Sequence, residues 1–401
     1  MKNNKRKKIA FLSTYPPREC GLATFTQDLI TALDDIEGIE TKVIAVINDE
    51  TDGYDSNVLI KINQQVQSDY VKAARRVNAS DIDLLVIEHE YGIFGGEYGN
   101  YILDLVDNLE IPLITTLHTV LPEPDPKQKA IINALAKKSA KVITMARNTK
   151  RILQSVYEID PRKIGVIHHG VPKKAFQSRE ALKKKYGYED KQIISTFGLI
   201  GPSKGIEYAI EAISTVTKTH NDLLYLILGQ THPALKAAGE AYRQKLEKLV
   251  EELDLQENVK FINKYLSKDE IIEYLQLSDI YMTPYLGKDQ AVSGTMAYAV
   301  GYGKAIISTP YLYAQEMLSG GRGLLAEFGS PDSLAEGIQS IIKNPGKRAQ
   351  MERNTLRLGC TMYWDKVASC YFEVFHNILK SSHKSEIGKQ IRTGEQYASQ
   401  R

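Results

Sequence analysis

Three groups of residues in this chain of 401 carry side chains suited to holding an anion beside a polyol. The first lies in TPYLGKDQAVSGTMAYAVGYGKAIISTP, residues 283–310. An apolar run ends at Thr283-Pro284 and opens into a polar loop carrying Lys288 and Gln290. Ser293-Gly294-Thr295 then reads as the N-cap of a small-residue helix over 296–302, followed by a second apolar run at 305–309. A helix that begins at the carboxyl end of a strand turns free N–H groups and the positive end of its dipole toward an anion. The second group is Leu199-Ile200-Gly201-Pro202-Ser203-Lys204-Gly205, where Lys204 can meet a phosphate as a point charge. The third joins His89-Glu90-Tyr91, Gly95 and Gly96 to His118, all at the ends of apolar runs. Rings suit the CH faces of a sugar; carboxylates and imidazole suit its hydroxyls. On pattern alone these groups also fit a packed crossover, an exposed loop lysine and a glycine turn around a satisfied core histidine.

Positioning such groups requires strand–loop–helix units. Apolar runs at 8–13, 41–47, 84–88, 113–117, 141–145 and 164–168 predict a first parallel sheet of about six strands. Runs at 192–198, 223–228, 259–262, 279–284 and 305–309 predict a second, which the stretch 320–325 finishes, with helices at 25–33, 206–216, 271–276 and 296–302. The loop after the first strand closes on Gly21 and Thr24, the expected cap, and can lay backbone N–H groups beside a phosphate. The loop at 229–233 belongs to the second series. Residues 173–191 read as a charged connector, 367–379 as an amphipathic helix and 381–401 as a disordered tail. Strand, loop, helix, strand in series is the signature of a doubly wound α/β fold, and this length suits two such domains.

Composition narrows the function. The formal net charge is +2, which gives no reason to expect nucleic acid. Three cysteines without a Cys-x-x-Cys pair argue against a disulfide framework and a thiolate metal site. His168 and His169 are adjacent on a strand and so point to opposite faces, which disfavours chelation of one ion. Asp81 and Asp83 precede their strand, at the end of the sheet away from ligands. The basic N-terminus runs directly into an apolar stretch too short for a membrane span, so a cytoplasmic protein is expected, with membrane contact at most peripheral.

The motifs resemble those of the group 1 (family 4) retaining glycosyltransferases over roughly residues 8–380. Residues 283–310 resemble the family's donor segment. The glycine loop ending Cys20-Gly21 is similar to the loop after its first strand. Val166-Ile167-His168-His169-Gly170-Val171-Pro172 matches the close of its N-terminal domain, and 198–205 its diphosphate loop. The resemblance implies two Rossmann-like domains in the glycosyltransferase-B arrangement. These are an acceptor-side domain over 1–175, a donor-binding domain over 176–360, and a helix over 361–380 crossing back to the first. It implies transfer of a hexosyl unit from a GDP- or UDP-hexose to a sugar or glycan acceptor, with retention and with neither metal nor cofactor. Carried over, Lys204 and the 293–295 amides serve the leaving phosphate, with Gly21 and Gln290 on the donor. His118 orients the sugar, and His89, Glu90, Tyr91, Gly95 and Gly96 meet the acceptor.

Three positions depart from the family pattern. With Gly303-Lys304 aligned, Gln290 and Tyr298 stand where the family carries two glutamates. Leu199 stands where it carries a diphosphate-binding arginine. Each lost charged hydrogen bond is worth about 1.5–3 kcal/mol if nothing replaces it. Lys264, Lys288 and Arg322 are candidate replacements. Two further readings follow: a phosphorylase-like enzyme of the same fold using phosphate or a sugar 1-phosphate, and a non-catalytic sugar-binding relative.

Overall fold

The computed structural model describes residues 6–48, 53–231 and 240–398, the stretch 382–398 as helical backbone. The chain divides into two compact units. One takes the residues up to Gly170 and those from Trp364 onward; the other is Val171–Tyr363.

The first unit is built on a parallel sheet of β1 (Lys7–Ser13), β2 (Ile39–Ile47), β3 (Val58–Asn63), β4 (Leu84–His89), β5 (Leu113–Leu117), β6 (Lys141–Thr144) and β7 (Ile164–Val166). Their order is β3-β2-β1-β4-β5-β6-β7. Helices cover both faces, so the central strands are continuous apolar runs: Ile9–Leu12 and Leu84–Ile87 are fully buried. The sequence reading missed β3. It is an edge strand whose Leu59 and Lys61 face solvent, so its alternating pattern lacks the continuous run that marks its neighbours.

The second unit repeats the plan with β8 (Gln192–Phe197), β9 (Leu223–Leu228), β10 (Val259–Ile262), β11 (Ile280–Thr283), β12 (Ala305–Ser308) and β13 (Gly323–Leu325), ordered β10-β9-β8-β11-β12-β13. Helices Ile206–Thr217 and Pro331–Ile342 pack on one face through Ile210, Ile213, Leu334 and Ile338. The expected connector is no linker: it holds helix Arg179–Tyr186, capped by Ser178 and ended by Gly187. Only Leu182 of that helix is buried, so its apolar signal is a single residue. The loop position His232-Pro233 lies outside the described residues.

The last helix, Trp364–Ala398, belongs to the first unit. Val367, Ala368, Tyr371, Phe375 and Leu379 recur at helical spacing and are buried, with Phe375 edge-on to Phe11 of β1 at 6.4 Å. The helix continues to Ala398, where a disordered tail was expected. Residues 382–398 contain no proline and only two glycines, so nothing in them stops a helix already nucleated.

A charged cluster sits at the amino ends of β11 and β12. The Asp279 carboxylate takes Lys183 at 2.7 Å, Arg348 at 2.9 Å and the Ile193 N–H at 2.8 Å, with Arg179 at 3.5 Å. Burial works to raise this carboxyl, and Lys183 and the other donors outweigh it, leaving it below its ordinary value. Lys304, which precedes β12, is 3% exposed, and among the described residues its ammonium finds only the Gln276 carbonyl, at 3.4 Å. Burial, then the nearby Arg179, push it down to about 7, against the pull of Glu352 and Asp279. Its ordinary value is 10.5, so between about pH 7 and about pH 10 the unfolded chain binds a proton that the native one does not. Stability therefore rises with pH across that window. Lys304→Met removes the term. Urea midpoints should favour the variant over wild type most at about pH 6.5, and the advantage should shrink by about pH 9.5. A difference independent of pH would show that Lys304 stays charged in the native state.

Candidate functional site

In an open parallel sheet ligands meet the carboxyl ends of the strands where the strand order reverses. In the second unit that point lies between β8 and β11, and the two loops leaving it are residues 198–205 and 284–293. They are laced together. The Leu286 N–H donates to the Ser203 carbonyl at 2.9 Å. Gly205 has φ +60°, and a Cβ there would sit 2.1 Å from the Pro284 carbonyl oxygen, so only glycine fits. Lys204 closes the short 3-10 turn Pro202–Lys204 just before helix Ile206–Thr217. Its ammonium lies 3.8 Å from the centroid of the Tyr285 ring. Among the described residues it has no ion pair with a carboxylate.

Tyr285 connects this cation to the next helix. Its hydroxyl bonds the Thr295 hydroxyl at 2.9 Å, and Thr295 bonds Ser293 Oγ at 3.1 Å. Ser293 caps helix Gly294–Gly301 by accepting the Met296 N–H at 3.3 Å. One continuous contact chain thus joins Lys204 to a helix N-terminus. Gln290 is half-buried, and its amide donates to the Val292 carbonyl at 3.0 Å. Tyr298 is half-buried, edge-on to Phe197 at 6.1 Å. Two candidate replacement cations are committed elsewhere. Lys264 pairs with Glu270, and Arg322 donates to the Met317 and Glu316 carbonyls at a helix end. Lys288 is exposed on the loop.

In the first unit the order reverses between β1 and β4. After β1, helix Gly21–Asp34 is capped by Cys20, whose Sγ accepts the Ala23 N–H at 3.3 Å; Thr24 lies inside the helix and does not cap it. Gly21 is exposed at the first turn. Glu88 and His89 end β4, both fully buried on alternate faces. His89 packs against Tyr91 at 5.1 Å and Phe94 at 5.8 Å, and neither ring nitrogen finds a partner. Burial, with His118 adding to it, pushes the ring down to about 3, so it is neutral and faces no acceptor. Glu90 accepts the Tyr91 N–H at 2.9 Å and the Thr119 hydroxyl at 2.6 Å. Tyr91 and Gly95 are buried; a Cβ on Gly95 would lie 1.9 Å from the Gln64 carbonyl oxygen. Gly96 has φ +78° and borders Asn100 and Tyr101. Of the five expected acceptor residues, only Glu90 and Gly96 reach solvent, because the others pack the loop.

His118 leaves β5 with its ring nitrogen Nε2 2.8 Å from Glu88 Oε2. Its backbone N–H donates to the His89 carbonyl at 3.0 Å. Phe25 meets its ring edge-on at 4.8 Å and also packs on His169 and Trp364. His169 donates from Nδ1 to the Gly170 carbonyl at 2.7 Å, and His168 donates from Nδ1 to the Met145 carbonyl at 3.0 Å. Sequence reasoning missed Glu88, Phe25, Trp364 and Tyr285. An acid closing an otherwise apolar strand was the available signal for Glu88. Among the described residues no group of three or more metal-ligating side chains occurs, and no helix is long and apolar enough to cross a membrane.

Comparison with known proteins bears on both halves of the chain. The sequence model described as glycosyl transferases group 1 matches residues 178–357, and that described as glycosyltransferase family 4 matches residues 20–174. An uncharacterised glycosyltransferase of Methanocaldococcus jannaschii is 23% identical over 57% of this chain and 58% of its own length. A D-inositol 3-phosphate glycosyltransferase of Rhodococcus jostii is 21% identical over 72% of this chain and 67% of its own. The solved structure of Anabaena Alr3699/HepE in complex with UDP superposes with a TM-score of 0.73 at 15% identity, covering 92% of this chain and all of that one. That likeness extends to both sheets and identifies the fold as the two-domain Rossmann-like arrangement. With both halves matched in order, the chain belongs to the group 1 glycosyltransferases.

Proposed function

We propose that the protein is a retaining, metal-independent glycosyltransferase that moves a hexosyl unit from a GDP- or UDP-hexose to a sugar or glycan acceptor. The observation that carries this reading is the chain from Lys204 through Tyr285 and Thr295 to the Ser293-capped helix. It gathers a cation lacking a carboxylate partner among the described residues and the positive end of a helix at one edge of one sheet. As the glycosyl–phosphate bond breaks, negative charge grows on the leaving phosphate. Fixed N–H dipoles and a lysine aimed there stabilise that charge more in the transition state than in the ground state. The departing phosphate takes the acceptor's proton on the same face, so configuration is retained and no separate base is required. The second unit binds the donor; Glu90 and Gly96 of the first serve the acceptor, and His118 hydrogen-bonds sugar hydroxyls. The UDP and UDP-glucose complexes of the Anabaena protein support a nucleotide sugar as donor.

A second reading rests on its own observation. Tyr298 stands where a paired carboxylate would hold a ribose, Lys264 and Arg322 are already committed, and the site keeps Lys204 as its main cation. That favours a single phosphate, as in a phosphorylase-like enzyme acting on a sugar 1-phosphate. A thermal-shift panel of UDP, GDP, ADP, their hexose conjugates and hexose 1-phosphates separates the two. A rise in melting temperature with a nucleotide sugar supports the first reading, and a rise with sugar 1-phosphate alone supports the second.

Lys204→Ala should lower turnover of the active donor by about tenfold or more while leaving the melting temperature unchanged, because a half-buried lysine on a loop supports little of the core. Unchanged kinetics would remove Lys204 from the site. Calorimetry on two further variants tests the donor loop. Gln290→Ala should weaken hexose selection and turnover, whereas Tyr298→Phe should leave nucleotide affinity within about twofold, since one hydroxyl cannot accept both bonds of a ribose diol. A large loss in Tyr298→Phe with Gln290→Ala silent would reverse the roles of the two positions.

A further inference from the structure

We infer that Glu88 is a positioning residue that fixes the tautomer of His118, so that the imidazole presents Nδ1 as a hydrogen-bond acceptor to a sugar hydroxyl. The inference rests on the reading of His118 as a sugar-contacting group. Its physical basis is independent of that reading.

Glu88 is 0% exposed at the end of β4, and Oε2 lies 2.8 Å from His118 Nε2. The surroundings supply little else. The Thr116 hydroxyl sits beside the carboxyl and bonds the Tyr371 hydroxyl of the last helix at 3.2 Å. Among the described residues neither lysine nor arginine pairs with Glu88. Burial raises this carboxyl, and the bond from His118 pulls it back, while Oε1 finds no hydrogen-bond partner among the described residues. A carboxylate held in such a place costs stability unless its geometry does something else. The acid also approaches Tyr371, whose hydroxyl is held protonated by burial and then by the Glu88 charge. Tyr371 therefore keeps its proton and does not take the one on His118.

The consequence falls on His118. A carboxylate can only accept, so Nε2 carries the proton and Nδ1 keeps its lone pair. Ring orientation is set by two further contacts, the edge of Phe25 at 4.8 Å and the backbone bond from His118 to His89. The histidine side chain remains 12% exposed, so the ring reaches the surface although its partner does not. An accepting Nδ1 selects a hydroxyl that donates. A buried negative charge behind it also favours positive charge developing on the transferred sugar, an effect stronger in the transition state than in the ground state.

The test uses the full-length protein labelled with 15N-histidine, without ligand. His118→Asn assigns the His118 signals among the eight histidines. Wild type at about pH 7.5 should show His118 with a protonated Nε2 and a bare Nδ1. In Glu88→Gln the amide can donate or accept, and the signals should shift toward a mixture of tautomers. With UDP-glucose or GDP-mannose as donor, whichever is turned over, kcat of Glu88→Gln should fall about tenfold or more with KM within about twofold. If neither donor is turned over, the glycosyltransferase reading loses its support, while the nitrogen spectra still decide the role of Glu88. A wild-type His118 protonated on Nδ1 overturns the inference even if Glu88→Gln fails to fold. A folded Glu88→Gln with unchanged spectra overturns it as well.

Discussion

Parallel strands cannot be joined by hairpins, and this constraint organises the chain. Each strand must return through a crossover, so every strand of a sheet ends at the same edge. Both units therefore collect their loops, helix starts and polar side chains along one edge each. Reversal of strand order then opens one place on that edge where two loops diverge. In the second unit those loops carry Lys204 and Ser293; in the first they carry Gly21 and Glu90, with His118 just past the adjacent strand. The interior contributes by being apolar and tightly packed. Fully buried strands such as Ile9–Leu12 give the edge a rigid base, which allows a short loop to hold a charge at a defined distance.

The loops 198–205 and 284–293 show how such an edge keeps a cation without a carboxylate partner among the described residues. Tyr285 offers Lys204 its ring face, which attracts a cation without neutralising it. The ring is itself fixed, stacked on Tyr311 at 5.5 Å and bonded through its hydroxyl to Thr295. An aspartate in the same place would satisfy the lysine and leave no charge for a ligand. The aromatic arrangement keeps the charge available at the cost of leaving it partly solvated.

Much of this was legible in the sequence, and the failures have physical causes. Continuous apolar runs located the central strands of both sheets, because burial on both faces leaves no polar alternation to confuse. The edge strand β3 and the helix Arg179–Tyr186 were not legible, since each buries only part of one face. Site residues divided in the same way. Lys204 and Ser293 stand at helix starts as expected, because a helix start needs particular residues at particular offsets. His89, Tyr91 and Gly95 looked equally chemical, yet they fill the interior of their loop. Residue type alone cannot distinguish a ring that binds a sugar from one that packs under a turn. Glu88 went unnoticed for the opposite reason: its partner is His118, thirty positions away and just past the end of another strand. Such pairs come from register between strands, which a local pattern does not contain.

Two buried acids show why position along a strand matters more than burial. Asp279 sits at the amino end of β11 and is enclosed by Lys183, Arg348, Arg179 and a backbone N–H. Its charge is fully answered, its carboxyl is held below the ordinary value, and its role is to tie helix Arg179–Tyr186 to the sheet. Glu88 sits at the carboxyl end of β4 with a histidine as its main partner, and its carboxyl is pushed up. A structural acid tends toward complete compensation, because any unmet lone pair in a dry interior is a standing cost. An acid left with one titratable partner keeps the pair poised, able to orient a proton or answer a charge that appears during reaction. The amino-end acid therefore belongs to stability. The carboxyl-end acid, on the edge where this fold meets ligands, belongs to chemistry.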